Sequence, residues 1–234
     1  MFVEFVEKDE FYFEYLNFFI ERFIYSSVSI EKEFTTPGKE ETKIELENSK
    51  QRLMKNSVTA FKYLIERKER LDYYNIMEVG DIINSDTGIT PGFRKIGVLT
   101  GSDFSAKNPR SIVPSLVSLL DSYYNIWTDL DVFEKEAMFH IEYMRIHPFE
   151  DGNKRSGKII LNSNLCHQDA APVIITSQDT EEYYNYIINR DYLGFANFLR
   201  QRSAIEMNTM VGLYKMMNKI PNEQTGKDLT YYKK

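Results

Sequence analysis

The stretch His147-Pro148-Phe149-Glu150-Asp151-Gly152-Asn153-Lys154-Arg155 joins two helical patterns and decides how the chain is organised. His147 closes an apolar helical run. Pro148 cannot extend it, because proline lacks an N–H and its ring clashes with the preceding turn. Gly152-Asn153 is a turn signal, and helical spacing resumes at Lys154 or Arg155. The expected arrangement is helix, tight loop, helix, with the loop feeding a helix N-terminus. Such a terminus presents unpaired N–H groups and the positive end of a dipole, which suits an anion. Arg155 has the wrong sign for that position unless an anion sits beside it, so the loop points to phosphate. Asp151 offers hard oxygens for Mg²⁺, which takes one or two carboxylates together with substrate phosphates. His147 offers a base that titrates near neutrality. Phe149 is expected to point inward and anchor the loop.

Working outward, helical spacing recurs along most of the chain. Phe11, Tyr15, Phe19 and Phe23 stand four apart and predict a core-facing helix over 9–33. A polar turn at 35–39 precedes a second helix over 44–70, carried by Leu53, Val58, Phe61, Leu64 and Ile65. Further helices are expected over 111–127, 132–146, 179–189 and 192–217, with Asp131 and Glu134 forming a capping box for the helix over 132–146. Residues 87–92 break helix, and the glycine-bounded, extended pattern of 94–101 predicts a short β-hairpin. Pro172-Val173-Ile174-Ile175 is a weaker strand signal. The expected fold class is all-α with one short β-hairpin.

Composition narrows the function classes. The formal charge of −6 argues against nucleic acid as the main partner, and against a DNA-reading helix-turn-helix, because phosphate backbones need a basic face. No apolar stretch approaches the ~20 residues that span a bilayer. The opening residues MFVEFVEKDE carry acids where a signal peptide would carry a basic region. A single cysteine, Cys166, fits a reducing compartment, so a cytoplasmic location is expected. The run from Gly152 to Ile159 nearly spells the phosphate-binding P-loop. It fails at Ile159, which has no hydroxyl for Mg²⁺, and it follows a helix instead of a strand.

The loop resembles the signature of the Fic (Fic/Doc) family, H-P-F-x-[DE]-[GA]-N-[GK]-R, matched at every defined position. The resemblance extends over 81–202 and implies an all-helical core that transfers AMP from ATP to a Ser, Thr or Tyr hydroxyl of a target protein or of the enzyme itself. It implies His147 as general base, Asp151 as the Mg²⁺ ligand, and Gly152 and Asn153 as the cradle of the phosphates, with Asn153 orienting the α-phosphate. Arg155 would bind the outer phosphates. Many members carry a second arginine where this chain has Lys158, which neutralises charge but cannot form a bidentate fork. Lys154 stands where many AMP-transferring members have glycine. Lysine there is shared with the Doc toxins, which transfer phosphate, whereas Gly152 favours the AMP-transferring branch.

The resemblance also implies an internal brake. Ser27-Val28-Ser29-Ile30-Glu31 resembles the inhibitory motif [ST]-x-x-x-E-[GN], except that Lys32 stands at its last position. Glu31 would pair with Arg155 and occupy the place of the γ-phosphate. Residues 36–40 match as well, but Pro37-Gly38 excludes a helix there. The hairpin residues Ile96, Gly97, Val98 and Leu99 would form a flap that aligns the target segment through main-chain hydrogen bonds, or a structural hairpin over the core. Tyr183 and Tyr184 fall where members contact adenine. The expected organisation is an inhibitory helical region at 1–75, a catalytic core at 76–220 and a polar tail at 221–234. Methionines and tyrosines at 207–217 would serve a homodimer or pack the last helix. The alternatives are phosphate transfer or AMP removal by the same loop, or a nucleotide-sensing module without catalysis. Against the last stands a base beside a metal carboxylate, for which a mere binder has no use.

Overall fold

The computed structural model describes residues 10–31, 43–98, 100 and 104–217. The aromatic stripe does form a helix, α1 (Glu10–Glu31), and it buries Tyr15, Phe19 and Phe23. Phe19 and Phe23 stack at 5.5 Å, and both touch Phe61 of α2 (Lys43–Ile65). At four-residue spacing the rings of one helix share a face, so burial of that face holds α1 on α2. The second helix stops at Ile65, short of the expected 70. The expected turn at 35–39 and the tail beyond 221 lie outside the described residues.

A third helix, α3 (Tyr73–Ile83), was not apparent from apolar spacing. Asp72 and Asn75 start it with a reciprocal capping box at 2.7 and 3.1 Å. The chain then runs irregularly to α4 (Ile112–Asp121), which ends in a π-helical turn, Ser122–Ile126. After it come α5 (Val132–Ile146), α6 (Asn153–His167), α7 (Thr180–Asn189) and α8 (Tyr192–Met217). Asp131 caps α5 as expected, accepting from the N–H groups of Phe133 and Glu134. The box is not completed, because the Glu134 carboxylate meets Arg200 instead.

The expected β-hairpin is not formed: among the described residues there is no strand. The reason is Arg94, whose hydrogen-bonding groups bind the loop after α5 and not a neighbouring strand. Its N–H donates to the carbonyl of Pro148 at 2.9 Å and its Nε to that of His147 at 2.7 Å, and its remaining nitrogens reach the carbonyls of Ile96, Lys107 and Ile146. The segment around Pro172 is no strand either. Asn162 takes the part of a neighbouring strand, pairing both the N–H (2.6 Å) and the carbonyl (3.0 Å) of Val173.

Helix α6 is central, packed by α1, α2, α3 and α5 and buried throughout 155–166. Gly157 permits the close approach of α5: a Cβ there would stand 3.0–3.2 Å from Met144, His140 and Tyr143. The polar residues of α6 are matched inside the core, Ser156 to the Tyr143 hydroxyl at 2.6 Å and Asn164 to Glu136 at 3.1 Å. A core of this kind fixes the ends of α5 and α6, and the loop from His147 to Gly152 hangs between those ends.

Candidate active site

Two left-handed residues shape the loop. His147 ends α5 at φ 54°, and Gly152 opens α6 at φ 80°. That conformation costs a residue with a side chain roughly 1–2 kcal/mol, so His147 must be held in it. Its N–H reaches the Tyr143 carbonyl at 3.1 Å, while Arg94 binds its carbonyl from the other side. Gly152 is needed for space as well, since a Cβ would lie 2.9 Å from Ile83 and 3.2 Å from Asn84. The Asn84 amide donates to the carbonyl of Asp151 at 3.0 Å and so fixes the middle of the loop.

Phe149 points inward as expected and is buried. Its ring lies on Gly80 of α3, where a Cβ would come within 2.1 Å. Asn153 clamps the Phe149 backbone, accepting from its N–H and donating to its carbonyl, each at 2.9 Å. Asn153 is only 3% exposed. Its amide is thus engaged in holding the loop.

The His147 imidazole is 9% exposed and sits edge-on to Phe104. Nδ1 lies 3.2 Å from the Met144 carbonyl, which can only accept, so Nδ1 carries the proton and Nε2 the lone pair. Burial pushes the ring's pKa down to about 4. The Met144 bond opposes this, Arg94 and Lys154 add to it, and Asp151 opposes it. The ring is neutral at pH 7 and its Nε2 makes no hydrogen bond among the described residues. That is the state a general base requires.

Charge surrounds this ring. The Arg155 guanidinium, 2% exposed, pairs at 2.9 Å with Asp151, whose side chain is 60% exposed. Lys154 extends its ammonium over the Tyr184 ring at 5.2 Å, and buried Lys158 lies 5.6 Å from the centre of Tyr183. Gly157 and Lys158 stand inside α6, which removes the P-loop reading. Among the described residues no group of three or more His, Cys, Asp or Glu could hold a metal ion. One exposed carboxylate beside a helix N-terminus fits the incomplete donor set of a Mg²⁺ that arrives with substrate phosphates.

The structure thus gathers His147, Asp151, Gly152, Lys154, Arg155 and Tyr184. Tyr183 is fully buried with its hydroxyl on His140 at 2.8 Å, so it has no face to offer a ligand. Ile96, Gly97 and Val98 lie on the irregular segment, and Leu99 falls outside the described residues. Ser27 is buried near the end of α1, of which Glu31 is the last residue; the Glu31 side chain lies outside the described residues. Sequence reading missed Arg94, Asn84 and Gly80. Only Arg94 left a signal, as one of two adjacent cations, with Lys95, in an otherwise apolar, glycine-bounded run.

Residues 70–165 match the Fic/DOC family. The chain is 35% identical over 71 residues to a protein adenylyltransferase Fic of Nematostella vectensis, an alignment covering 30% of this chain and 17% of that protein. It is 37% identical over 78 residues to a probable protein adenylyltransferase of Aquifex aeolicus, covering 33% and 24%. The matched region is thus about a fifth of the length of these relatives. In fold, the chain resembles a Fic domain containing signaling protein from Bacteroides thetaiotaomicron, with a TM-score of 0.73 at 24% identity over 89% of this chain and 92% of that one. It also resembles Fic-1 of Caenorhabditis elegans, with a TM-score of 0.66 at 19% identity over 84% and 63%.

Proposed function

We propose that this chain, which carries a Fic/DOC family domain over residues 70–165, transfers AMP from ATP to a Ser, Thr or Tyr hydroxyl of a protein, itself included. The observation that supports this reading most is the neutral His147 with its Nε2 lone pair turned to no protein partner, one residue before the anion-binding loop. In the reaction the hydroxyl oxygen bonds to the α-phosphorus, the bond from that phosphorus to the bridging oxygen breaks, and pyrophosphate leaves. The hydroxyl proton passes to Nε2 of His147. A base of pKa about 4 is weak, but that value belongs to a site without phosphate charge. A polyphosphate beside the ring favours the imidazolium and raises it.

Asp151 would hold Mg²⁺, which neutralises charge on the α- and β-phosphates. The Gly152 turn and the first N–H groups of α6 would receive phosphate oxygens, with Lys154 and Arg155 on the outer phosphates. Asp151 and Arg155 pair with each other in this structure, so binding exchanges one salt link for two contacts to the substrate. Tyr184 stands at the rim for the adenine, and Lys158 contributes positive charge behind the loop. Irregular segment 93–98 borders the loop through Arg94.

The brake assigned to Glu31 belongs to the same reading. Helix α1 packs on α6, and five residues before its end Ser26 donates to the Ile175 carbonyl at 2.8 Å. A carboxylate at the end of α1 would compete with ATP for Arg155. The test is ATP labelled separately at the α- and γ-phosphates, given with Mg²⁺ to wild type and Glu31→Gly, with label read on protein. Label from the α-position, stronger in Glu31→Gly, is expected. Label from the γ-position alone would make this a phosphate-transferring relative, and equal label in both proteins would remove the brake.

A further inference from the structure

At the end of the α5–α6 pair away from the loop, the connection between α2 and α3 borders an open cavity of 280 Å³. Arg67, Lys68, Arg70 and Lys135 line it, with Glu69 as the one carboxylate in the wall. In a chain of formal charge −6, four cations around one cavity run against the average. Lys135 stands in the first turn of α5 and His147 just beyond its last, ~18 Å apart along the axis at 1.5 Å per residue. The cavity is therefore separate from the catalytic loop.

Three of these cations, Arg67, Arg70 and Lys135, have protein contacts that orient them, while Lys68 is exposed. The Arg70 guanidinium lies 5.0 Å over the Tyr124 ring and the Lys135 ammonium 4.2 Å over the Tyr123 ring. Those two rings meet edge to face at 4.9 Å, which sets a corner with a cation on each wall. The Tyr124 hydroxyl accepts from the Leu71 N–H at 2.7 Å and pins the connection down. Arg67 gives one nitrogen to the Glu69 carbonyl, while its Nε is buried and has no hydrogen-bond partner among the described residues. A buried donor of that kind costs free energy unless something accepts from it.

Among the described residues two carboxylates stand against this charge, Glu69 in the wall and Glu136. Glu136 lies behind the wall, and its oxygens accept from the Tyr123 hydroxyl and from the amides of Asn164 and Gln168. His167 reaches the Leu64 carbonyl through Nε2 at 3.0 Å, and burial holds it below the ordinary histidine range, so it adds no charge at neutral pH. Four cations thus face two carboxylates, one of them in the second layer, and the cavity is positive.

We propose that this cavity binds a small phosphorylated molecule, with its phosphate between Arg67, Arg70 and Lys135 and its organic part in the remaining space. A phosphate dianion accepts from two guanidinium forks and an ammonium at once, whereas one carboxylate is matched by a single fork. The volume is several times the ~30 Å³ that one water occupies, which leaves room beyond the phosphate for a sugar-sized group.

The test is calorimetric titration of the full chain with ribose 5-phosphate, with ribose and citrate as comparisons. Wild type, Arg67→Gln, Arg70→Gln, Lys135→Gln and Arg155→Ala are compared after thermal melts show each folded. Saturable binding of ribose 5-phosphate but not ribose is expected. It should weaken about tenfold or more in each of the first three variants and stay unchanged in Arg155→Ala. Absence of saturable binding, loss of binding in Arg155→Ala alone, or tighter binding of citrate than of ribose 5-phosphate would overturn the proposal.

Discussion

Two histidines stand seven residues apart around one helix, and the contrast between their surroundings separates the core of this protein from its site. His140, in the middle of α5, has both ring nitrogens engaged: Nδ1 at 3.2 Å from the Gly157 carbonyl and Nε2 at 2.8 Å from the Tyr183 hydroxyl. The carbonyl can only accept, so Nδ1 carries the proton and the tyrosine donates to Nε2. His147, just past the end of α5, has the same tautomer for the same reason, but its Nε2 has no protein donor among the described residues. Burial lowers both pKa values, to about 3 and about 4. Both rings are neutral bases; only one has its lone pair to give. What makes a histidine chemically useful here is an unmet hydrogen bond, not an unusual pKa.

The largest expected effect strikes the open end alone. On the proposed reading Asp151→Ala should lower label transfer about 100-fold or more. The loss of its pair to buried Arg155 should lower the urea midpoint only modestly by comparison, since the carboxylate itself is exposed. Chelation of Mg²⁺ should do the same to wild type, and its return should restore transfer. Transfer that survives chelation would detach Asp151 from its role.

At the closed site the effect should reverse in kind. His140→Ala leaves the Tyr183 hydroxyl and the Gly157 carbonyl without partners and opens a cavity, so urea denaturation should show a loss of about 2–5 kcal/mol. A loss under about 1 kcal/mol would mean that water replaces the ring and that this region is not closed.

Gly80→Ala joins the two regions. Its methyl would overlap the Phe149 ring, so both stability, by about 1–3 kcal/mol, and transfer should fall, even though Gly80 touches no substrate. Unchanged transfer would show that Phe149 does not set the geometry of His147.

The smallest effect is a pH dependence. Because the folded pKa of His147 lies below the ordinary 6.5, the unfolded chain takes up the proton first, and its contribution to stability is lost as pH falls from 6.5 towards 4. The stability of wild type relative to His147→Ala should therefore drop by ~1 kcal/mol per pH unit in that window, measured by urea titration at several pH values. Glu136 runs the other way. Burial raises it to about 7, so its contribution is present in acid and lost as pH rises from 4.5 through 7. It is common to both proteins and cancels in the comparison. A difference independent of pH would mean that the His147 ring is not buried in solution.

The same contrast explains what the sequence could and could not tell. Helices with a regular apolar stripe were legible, because burial of one face writes a period of 3.6 into the chain; α1 with Phe19 and Phe23 is the clearest case. The loop was legible because proline, glycine and charged residues in that order have few other uses. Helix α3 was not, since its identity rests on an Asp72–Asn75 cap and on a glycine that makes room for a ring from far along the chain. The hairpin expectation failed at Arg94. Its extended, glycine-bounded pattern is that of a strand, and only the fold reveals that its donors go to the carbonyls after α5. Asn153 was assigned to phosphate by resemblance, whereas its amide grips Phe149. An asparagine that stands in for a peptide partner leaves no periodic trace, at Asn153 or at Asn162.

The central claim is that the open Nε2 of His147 takes the proton of an attacking hydroxyl. The measurement is transfer of label from α-labelled ATP per folded molecule in His147→Ala and His140→Ala, side by side. The account predicts no label above background in His147→Ala, whose fold is intact, and transfer retained in the folded fraction of His140→Ala. Transfer persisting in folded His147→Ala, or lost equally from the folded molecules of both variants, would contradict it.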